Sequence, residues 1–292
     1  MKGEKLWTAL VTPLQQDGSV HYKDLEKLIR IQEDAGNGVL ILGSTGEGLA
    51  LDHTDKREIA KFVSGLKLSV PVMAGVGGFN LANQTEWITF CNSLNIDAFL
   101  VVAPLYSKPA YQGQKQWFQT LLDTSDKPCM IYNIPSRTGV KVQPGVLAEL
   151  ADHSNFWAVK EASGSIADYQ EFREAVPKIP LYSGDDAMLP FFAVAGSGGL
   201  VSVASNVWPK ATRSYLEKGL SGDTENLFPL WAEAVKALFS APNPIPAKVL
   251  LHKKGTISTS VLRPPLTDMD LPSTDKLLEI DKAVNQWYQK YR

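Results

Sequence analysis

Ala98-Phe99-Leu100-Val101-Val102-Ala103-Pro104-Leu105 is a continuous apolar run, followed by an amphipathic stretch at Tyr111–Leu122. A run without alternation suits a parallel strand covered on both faces, and it falls far short of the roughly 20 residues a bilayer span needs. The same pairing recurs along the chain. Short apolar runs stand at Leu6–Leu14, Gly38–Gly43, Val70–Gly77, Pro128–Pro135, Trp157–Ala162, Pro180–Asp185 and Gly199–Asn206. Between them, Tyr22–Ala35 carries Leu25, Leu28, Ile29 and Gln32 at helical spacing, and Asp55–Leu68 does the same with Ile59, Phe62, Val63 and Leu66. Ala82–Asn92, Pro144–Leu150, Ser165–Val176, Ala187–Ala195 and Lys210–Lys218 complete the series. Pro144 and Pro209 suit first helical turns, and Thr54 or Asp55 reads as a helix cap.

Eight strand-then-helix units of similar size predict an α/β fold of the (β/α)8 TIM-barrel type over residues 1–221, with an open doubly wound sheet as the alternative. Residues 222–292 show no further strand pattern and read as a helical C-terminal appendage. Leu227, Leu230, Trp231, Ala234 and Leu238 make one helical face there. The Pro-rich link Pro242-Asn243-Pro244-Ile245-Pro246 follows it, leading into Ala247–Lys254. A last helix holds Leu277, Leu278, Ile280, Ala283, Val284 and Trp287. Trp208, Trp231 and Trp287 suit either the core or an interface between subunits.

Composition narrows the function. The 292 residues carry 29 basic and 31 acidic side chains, so no strongly basic field is available for nucleic acid or an anionic membrane. Cys91 and Cys129 are too few for a disulfide framework or a cysteine-rich zinc site, which points to a reduced, cytoplasmic setting. The segment from Leu6 to Leu14, broken by Thr8, Thr12 and Pro13, reads as a buried strand rather than a signal-peptide core.

In such a barrel the chemistry sits at the C-terminal ends of the strands. Those ends bring Thr12, Gly43-Ser44-Thr45-Gly46-Glu47, Tyr106, Tyr132-Asn133, Arg137, Lys160-Glu161, Asp185-Asp186, Ser202 and Asn206. His21, His53, His153 and His252 lie elsewhere without metal-ligand spacing, so carbonyl chemistry with no metal and no cofactor is expected. Lys160 closes the apolar run Trp157-Ala158-Val159. It is compatible with a snorkelling lysine that keeps its ammonium wet, or with an amine desolvated enough to attack a ketone and form a Schiff base. Tyr132 on the neighbouring strand favours the second, because iminium formation needs a proton shuttle, although a core tyrosine with one hydrogen bond explains Tyr132 alone. The glycine-rich turn at 43–48 is either a tight structural turn or an anion cradle, and it lacks the phosphate-loop and dinucleotide patterns. Arg137 reads as a bidentate carboxylate clamp or a solvated surface arginine.

Tyr132-Asn133-Ile134-Pro135-Ser136-Arg137-Thr138-Gly139 resembles the hallmark of the dihydrodipicolinate synthases. So do Val159-Lys160-Glu161-Ala162-Ser163-Gly164 and Ser183-Gly184-Asp185-Asp186, with Val11-Thr12-Pro13, Gly43–Glu47 and Pro242–Pro246 in the family's order. The resemblance implies a carbon–oxygen lyase of lysine and diaminopimelate biosynthesis that condenses pyruvate with L-aspartate-4-semialdehyde to 4-hydroxy-tetrahydrodipicolinate. It implies that Lys160 forms the Schiff base, that Tyr132 moves protons, and that Ser44 links Tyr132 to a Tyr106 supplied by a neighbouring subunit. Ser44 and Thr45 would hold the pyruvate carboxylate, Arg137 the semialdehyde carboxylate. The Val201 carbonyl would approach Lys160, Gly184 would keep the pocket open, and the assembly would be a homotetramer built as a dimer of dimers.

Within the same superfamily the alternative is a lyase for N-acetylneuraminate or a 2-keto-3-deoxy sugar acid. Arg137 resembles the synthase form, whereas Ser44, where most synthases carry threonine, also occurs in the lyases. A catalytically silent barrel that senses a small carboxylate is the competing class, opposed by the presence of Lys160, Tyr132, Tyr106 and Ser44 together. Leu105 replaces a tyrosine, Lys56 a histidine and Gln84 a glutamate of the lysine-binding pocket, while His53 and Asn80 remain; weak or absent lysine feedback is expected.

Overall fold

A computed structural model describes residues 3–225 and 227–291 of the chain. Each apolar run contributes a strand shorter than the run itself: β1 Leu6–Ala9, β2 Gly38–Ile41, β3 Val72–Val76, β4 Ala98–Val102, β5 Cys129–Asn133, β6 Phe156–Glu161, β7 Leu181–Ser183 and β8 Gly199–Ser202. All pair in parallel, in sequence order, and β1 pairs with β8 through Leu6↔Leu200, Trp7↔Val201 and Thr8↔Ser202 to close the barrel. This is the (β/α)8 arrangement, and the open-sheet alternative is excluded.

The runs outlast the strands because burial continues where pairing stops. Leu10, Val11 and Leu14 are buried, yet the Val11 amide is taken by the Asn206 side chain at 3.0 Å rather than by a neighbouring strand. Beyond β8, the Val203 and Ala204 amides donate to the Asp186 carboxylate at 2.9 and 3.3 Å, and Ala204–Asn206 turns into a short 3-10 helix. The apolar signal marks depth, and side chains at the barrel mouth end the ladder.

The strands separate two cores. Inward-facing Trp7, Leu40, Met73, Leu100, Met130 and Tyr182 fill the barrel, while outward-facing residues pack under the helices. The helices at Pro144–Leu150 and Pro209–Ser221 begin on their prolines as expected. The cap of His53–Gly65 is Asp52, not Thr54 or Asp55: its carboxylate accepts the Asp55 amide at 2.7 Å, the reach of a cap to the third helical position.

The C-terminal segment forms helices at Phe228–Leu238, Ile245–Lys253 and Asp275–Tyr291. In the last, Leu277, Ile280, Val284 and Trp287 make the buried stripe, while Leu278, expected in it, stands 37 % exposed because it falls off the three-four spacing. Trp208, Trp231 and Trp287 are core residues. Trp231 stacks on Tyr215 of the Pro209–Ser221 helix at 4.2 Å and meets Trp287 edge-on at 5.4 Å. Residues Met1, Lys2, Asn226 and Arg292 of the expected barrel and appendage lie outside the described residues.

A buried ion pair ties this segment to the barrel mouth. Lys248 donates to Glu47 at 2.7 Å with both side chains essentially unexposed, and the other Glu47 oxygen accepts the Arg263 amide at 2.6 Å. Lys248→Met would strand a buried carboxylate without its counterion, so a loss of about 3–5 kcal/mol in urea-denaturation stability is expected. The pair Glu47→Gln with Lys248→Met should recover part of that loss; a single substitution costing under about 1 kcal/mol would contradict the assignment.

Candidate active site

Register sets the central geometry. Tyr132 on β5 aligns with Lys160 on β6, and Lys160 with Tyr182 on β7. Aligned residues of neighbouring parallel strands project to the same side, so Lys160 and Tyr132 both enter the barrel. The Lys160 Nζ lies 4.1 Å from the centre of the Tyr132 ring. Burial of Lys160, 5 % exposed, drives its amine down to about 7; the nearby Asp186 charge opposes that fall and the Arg137 charge adds to it. Burial pushes the Tyr132 phenol above its ordinary value, so it stays protonated across the neutral range.

Gly184, just past β7, stands directly against the lysine. A Cβ there would fall 2.6 Å from Lys160 Cε and 2.8 Å from Ala162 Cβ. Gly184→Ala therefore displaces the reacting amine, and kcat is expected to fall about 10²-fold, the scale of a misplacement near 1 Å, with the far-ultraviolet circular dichroism unchanged. Retention of more than half of the activity would show that Lys160 has room to move.

The turn after β2 is held from several sides. The Thr12 hydroxyl donates to the Gly46 carbonyl at 2.7 Å. Cβ atoms at Gly46 and Gly48 would lie 2.9 Å from the Leu10 carbonyl oxygen and 2.1 Å from that of Leu42, so the close backbone approach requires glycine. Thr45 is buried, and its hydroxyl accepts from Asn243 Nδ2 at 2.9 Å; the Asn243 carbonyl accepts from Arg137 Nη2 at 3.4 Å.

A cavity of about 860 Å³ opens over this floor. Ser44, Tyr106, Tyr132 and Arg137 all line it. Lys56 and Lys108 join Arg137 on the wall, and no Asp or Glu is among the lining residues, which makes it a receptor for anions. Tyr106 stands 91 % exposed with φ +64°, a left-handed conformation unusual for an aromatic residue, and Leu49 and Phe79 are exposed large apolar side chains of the same chain.

The expected residues thus converge in two layers: Ser44, Tyr106, Tyr132 and Arg137 on the cavity wall, with Lys160 and Gly184 in mutual contact beneath the Tyr132 ring. Thr45 reaches the site through its loop. Val201 is buried in the inner core that includes Tyr132 and does not line the cavity.

Three further groups were given no role by sequence: Asp186 and Asn133 stood only among the strand-end and motif residues, and Asn243 only within the Pro-rich link. Asp186 is buried, accepts from Ser202 Oγ at 2.5 Å, and is raised by burial to about 6. Asn133 Nδ2 donates to Glu161 at 2.7 Å while Asn133 Oδ1 accepts the Val142 amide at 2.9 Å, locking the ends of β5 and β6 beside Tyr132 and Lys160. Asn243 hides in the proline-rich link, where composition suggests only a turn.

Comparison with known proteins agrees with this geometry. The model of the dihydrodipicolinate synthetase family matches residues 2–286. The 4-hydroxy-tetrahydrodipicolinate synthase of Francisella philomiragia subsp. philomiragia is 47 % identical over 287 residues, covering 97 % of each chain. Among solved structures, the 4-hydroxy-tetrahydrodipicolinate synthase of Methylacidiphilum fumariolicum SolV superposes with a TM-score of 0.92 at 27 % identity, covering 99 % of both chains. The synthase of Cyanidioschyzon merolae with lysine bound gives 0.89 at 31 % identity, covering 96 % of this chain and 98 % of that one. With the barrel, the lysine–tyrosine floor and a match along nearly the whole length, this chain belongs to the dihydrodipicolinate synthetase family.

Proposed function

We propose that this chain is a lyase that condenses pyruvate with L-aspartate-4-semialdehyde to give 4-hydroxy-tetrahydrodipicolinate. The observation that carries the reading is the buried Lys160 amine, lowered to about 7, against the Tyr132 ring under an anion-receptive cavity. The free amine adds to C2 of pyruvate, and loss of water leaves the imine; Tyr132 gives the proton that departs with the hydroxyl. Removal of a methyl proton yields an enamine whose carbon attacks the aldehyde. The amino group of the semialdehyde portion then displaces Lys160 as the ring closes. Ser44 and the Tyr106 supplied by a neighbouring subunit are assigned the proton relay to Tyr132, the backbone groups of Ser44 and Thr45 the pyruvate carboxylate, and Arg137 the carboxylate of the second substrate. Gly184 leaves Lys160 its space, and the Val201 carbonyl is assigned to the same amine.

Residues 1–221 serve in this reading as the catalytic barrel and 222–292 as its helical appendage. A homotetramer built as a dimer of dimers is supported by exposed apolar side chains in two places: Leu49, Phe79 and Tyr106 in the loops after β2, β3 and β4, and Ile166, Phe191 and Val194 on the helices after β6 and β7. No helix among the described residues is long and apolar enough to cross a membrane, and the buried free thiols Cys91 and Cys129 support a reducing, cytoplasmic setting.

Assaying aspartate semialdehyde consumption with pyruvate beside cleavage of N-acetylneuraminate tests the substrate assignment. Preference for the semialdehyde by at least a hundredfold is expected, and preferential cleavage of the sugar acid would overturn it. Lysine feedback should be weak or absent. Lys56 lines the cavity with its Nζ 4.9 Å from the Trp87 ring centre, so a cationic effector meets an added positive charge, and Leu105 offers it no hydroxyl. Initial rates should be insensitive to millimolar L-lysine; strong inhibition below 1 mM would refute this.

A further inference from the structure

We propose that Asn243, supplied by the C-terminal helical segment, is a positioning residue for pyruvate, acting through the Thr45 hydroxyl. This rests on the assignment of the Ser44–Thr45 turn to the pyruvate carboxylate. Among the described contacts, its side chain and its backbone have separate tasks. Nδ2 donates to Thr45 Oγ1 at 2.9 Å, on the pyruvate side, whereas the main-chain carbonyl accepts from Arg137 at 3.4 Å, on the side of the second substrate. The Asn243 Oδ1 atom is buried without a hydrogen-bond partner among the described residues. A buried orphan acceptor costs more than an apolar side chain of similar shape in the same space. Core filling alone therefore does not account for an amide at 243; the bond to Thr45 does.

The surrounding contacts make that bond rigid. Glu47, two residues after Thr45, is held by Lys248 and the Arg263 amide, and Lys248 lies five residues after Asn243 on the helix Ile245–Lys253. The turn between them is thus fastened to the helical segment at both ends, and the barrel's anion cradle is completed by chain that lies outside the barrel.

Because only the side chain reaches Thr45, Asn243→Ala removes the pyruvate-side contact and keeps the carbonyl that meets Arg137. In steady-state kinetics with both substrates varied, KM for pyruvate should rise about threefold to tenfold, the effect of one hydrogen bond, with KM for aspartate semialdehyde changed less than twofold. Asn243→Asp, whose carboxylate cannot donate as Nδ2 does and reverses the bond by accepting from the Thr45 hydroxyl, sets a negative charge beside the pyruvate carboxylate and should raise KM for pyruvate further. The double variant Thr45→Val with Asn243→Ala should be no worse than the more impaired single variant. A purely structural role would lower the melting temperature and shift both KM values together. Equal effects on the two substrates, additive losses in the double variant, or an Asn243→Asp variant that binds pyruvate as well as Asn243→Ala would overturn the proposal. Borohydride trapping of pyruvate on Lys160 in each variant separates the two levels: absence of an adduct in the unmodified enzyme refutes the catalytic assignment itself, whereas trapping with unshifted KM values refutes only the role of Asn243.

Discussion

Lys160→Met is expected to abolish condensation, lowering kcat by about 10⁴-fold or more, while raising the melting temperature. Both effects have one cause. The amine sits where water cannot solvate its charge, and burial holds its pKa near 7 against an ordinary 10.5. At pH 7 about half of the amine is then the nucleophilic free base, whereas an ordinary lysine would offer less than about a thousandth. In the unmodified enzyme, kcat/KM for pyruvate should therefore rise with pH and level off above about 7. A rate that climbs tenfold per pH unit up to pH 10 would show an unperturbed lysine.

The stability effect follows from proton linkage. Between about 7 and 10.5 the unfolded chain holds a proton at Lys160 that the folded chain has lost, so this residue's contribution to stability rises with pH across that window. Below about 7 both states are protonated and the folded state carries the full penalty of a buried charge. The gain from Lys160→Met should accordingly be greatest below pH 7 and vanish toward pH 10.5. Differential scanning at pH 6 and pH 10 checks the sign; a gain that grows with pH would contradict it.

Tyr132→Phe carries the second large effect. The ring that covers the Lys160 amine is preserved, so the amine's environment and the pyruvate site persist, while the phenolic hydroxyl, the only side-chain hydroxyl on β5, is lost. A fall in kcat of about 10²–10⁴ is expected, the range for a positioned proton donor. Pyruvate should still become trappable on Lys160, more slowly. Activity within threefold of the unmodified enzyme would remove Tyr132 from the proton path. Because burial raises the Tyr132 phenol, its ionisation should place no alkaline limb on the profile below pH 10.

The barrel was legible because covered parallel strands must be apolar without alternation, and eight such runs alternate with amphipathic stretches. Strand ends were less legible. Nothing in Leu6–Leu14 announces that the Val11 amide belongs to Asn206, 195 residues away. At the site, Lys160 and Tyr132 stood out because a lysine closing an apolar strand beside a tyrosine is chemically conspicuous. Asn243 did not, since a polar residue between prolines looks like any turn until Thr45, 198 residues distant in sequence, is folded against it. The same holds for Glu47, read only as part of a glycine-rich turn, whose buried partner Lys248 lies 201 residues on. Leu278 failed for a smaller reason: neighbours in a helical stripe differ in depth by one position.

The chemistry stands or falls on one covalent bond. Incubating the enzyme with pyruvate, reducing with sodium borohydride and mapping peptides by mass spectrometry should give a single pyruvyl adduct, on Lys160, absent from Lys160→Met. No adduct, or an adduct on Lys56, Lys108 or another lysine with Lys160 unmodified, would contradict the Schiff-base mechanism.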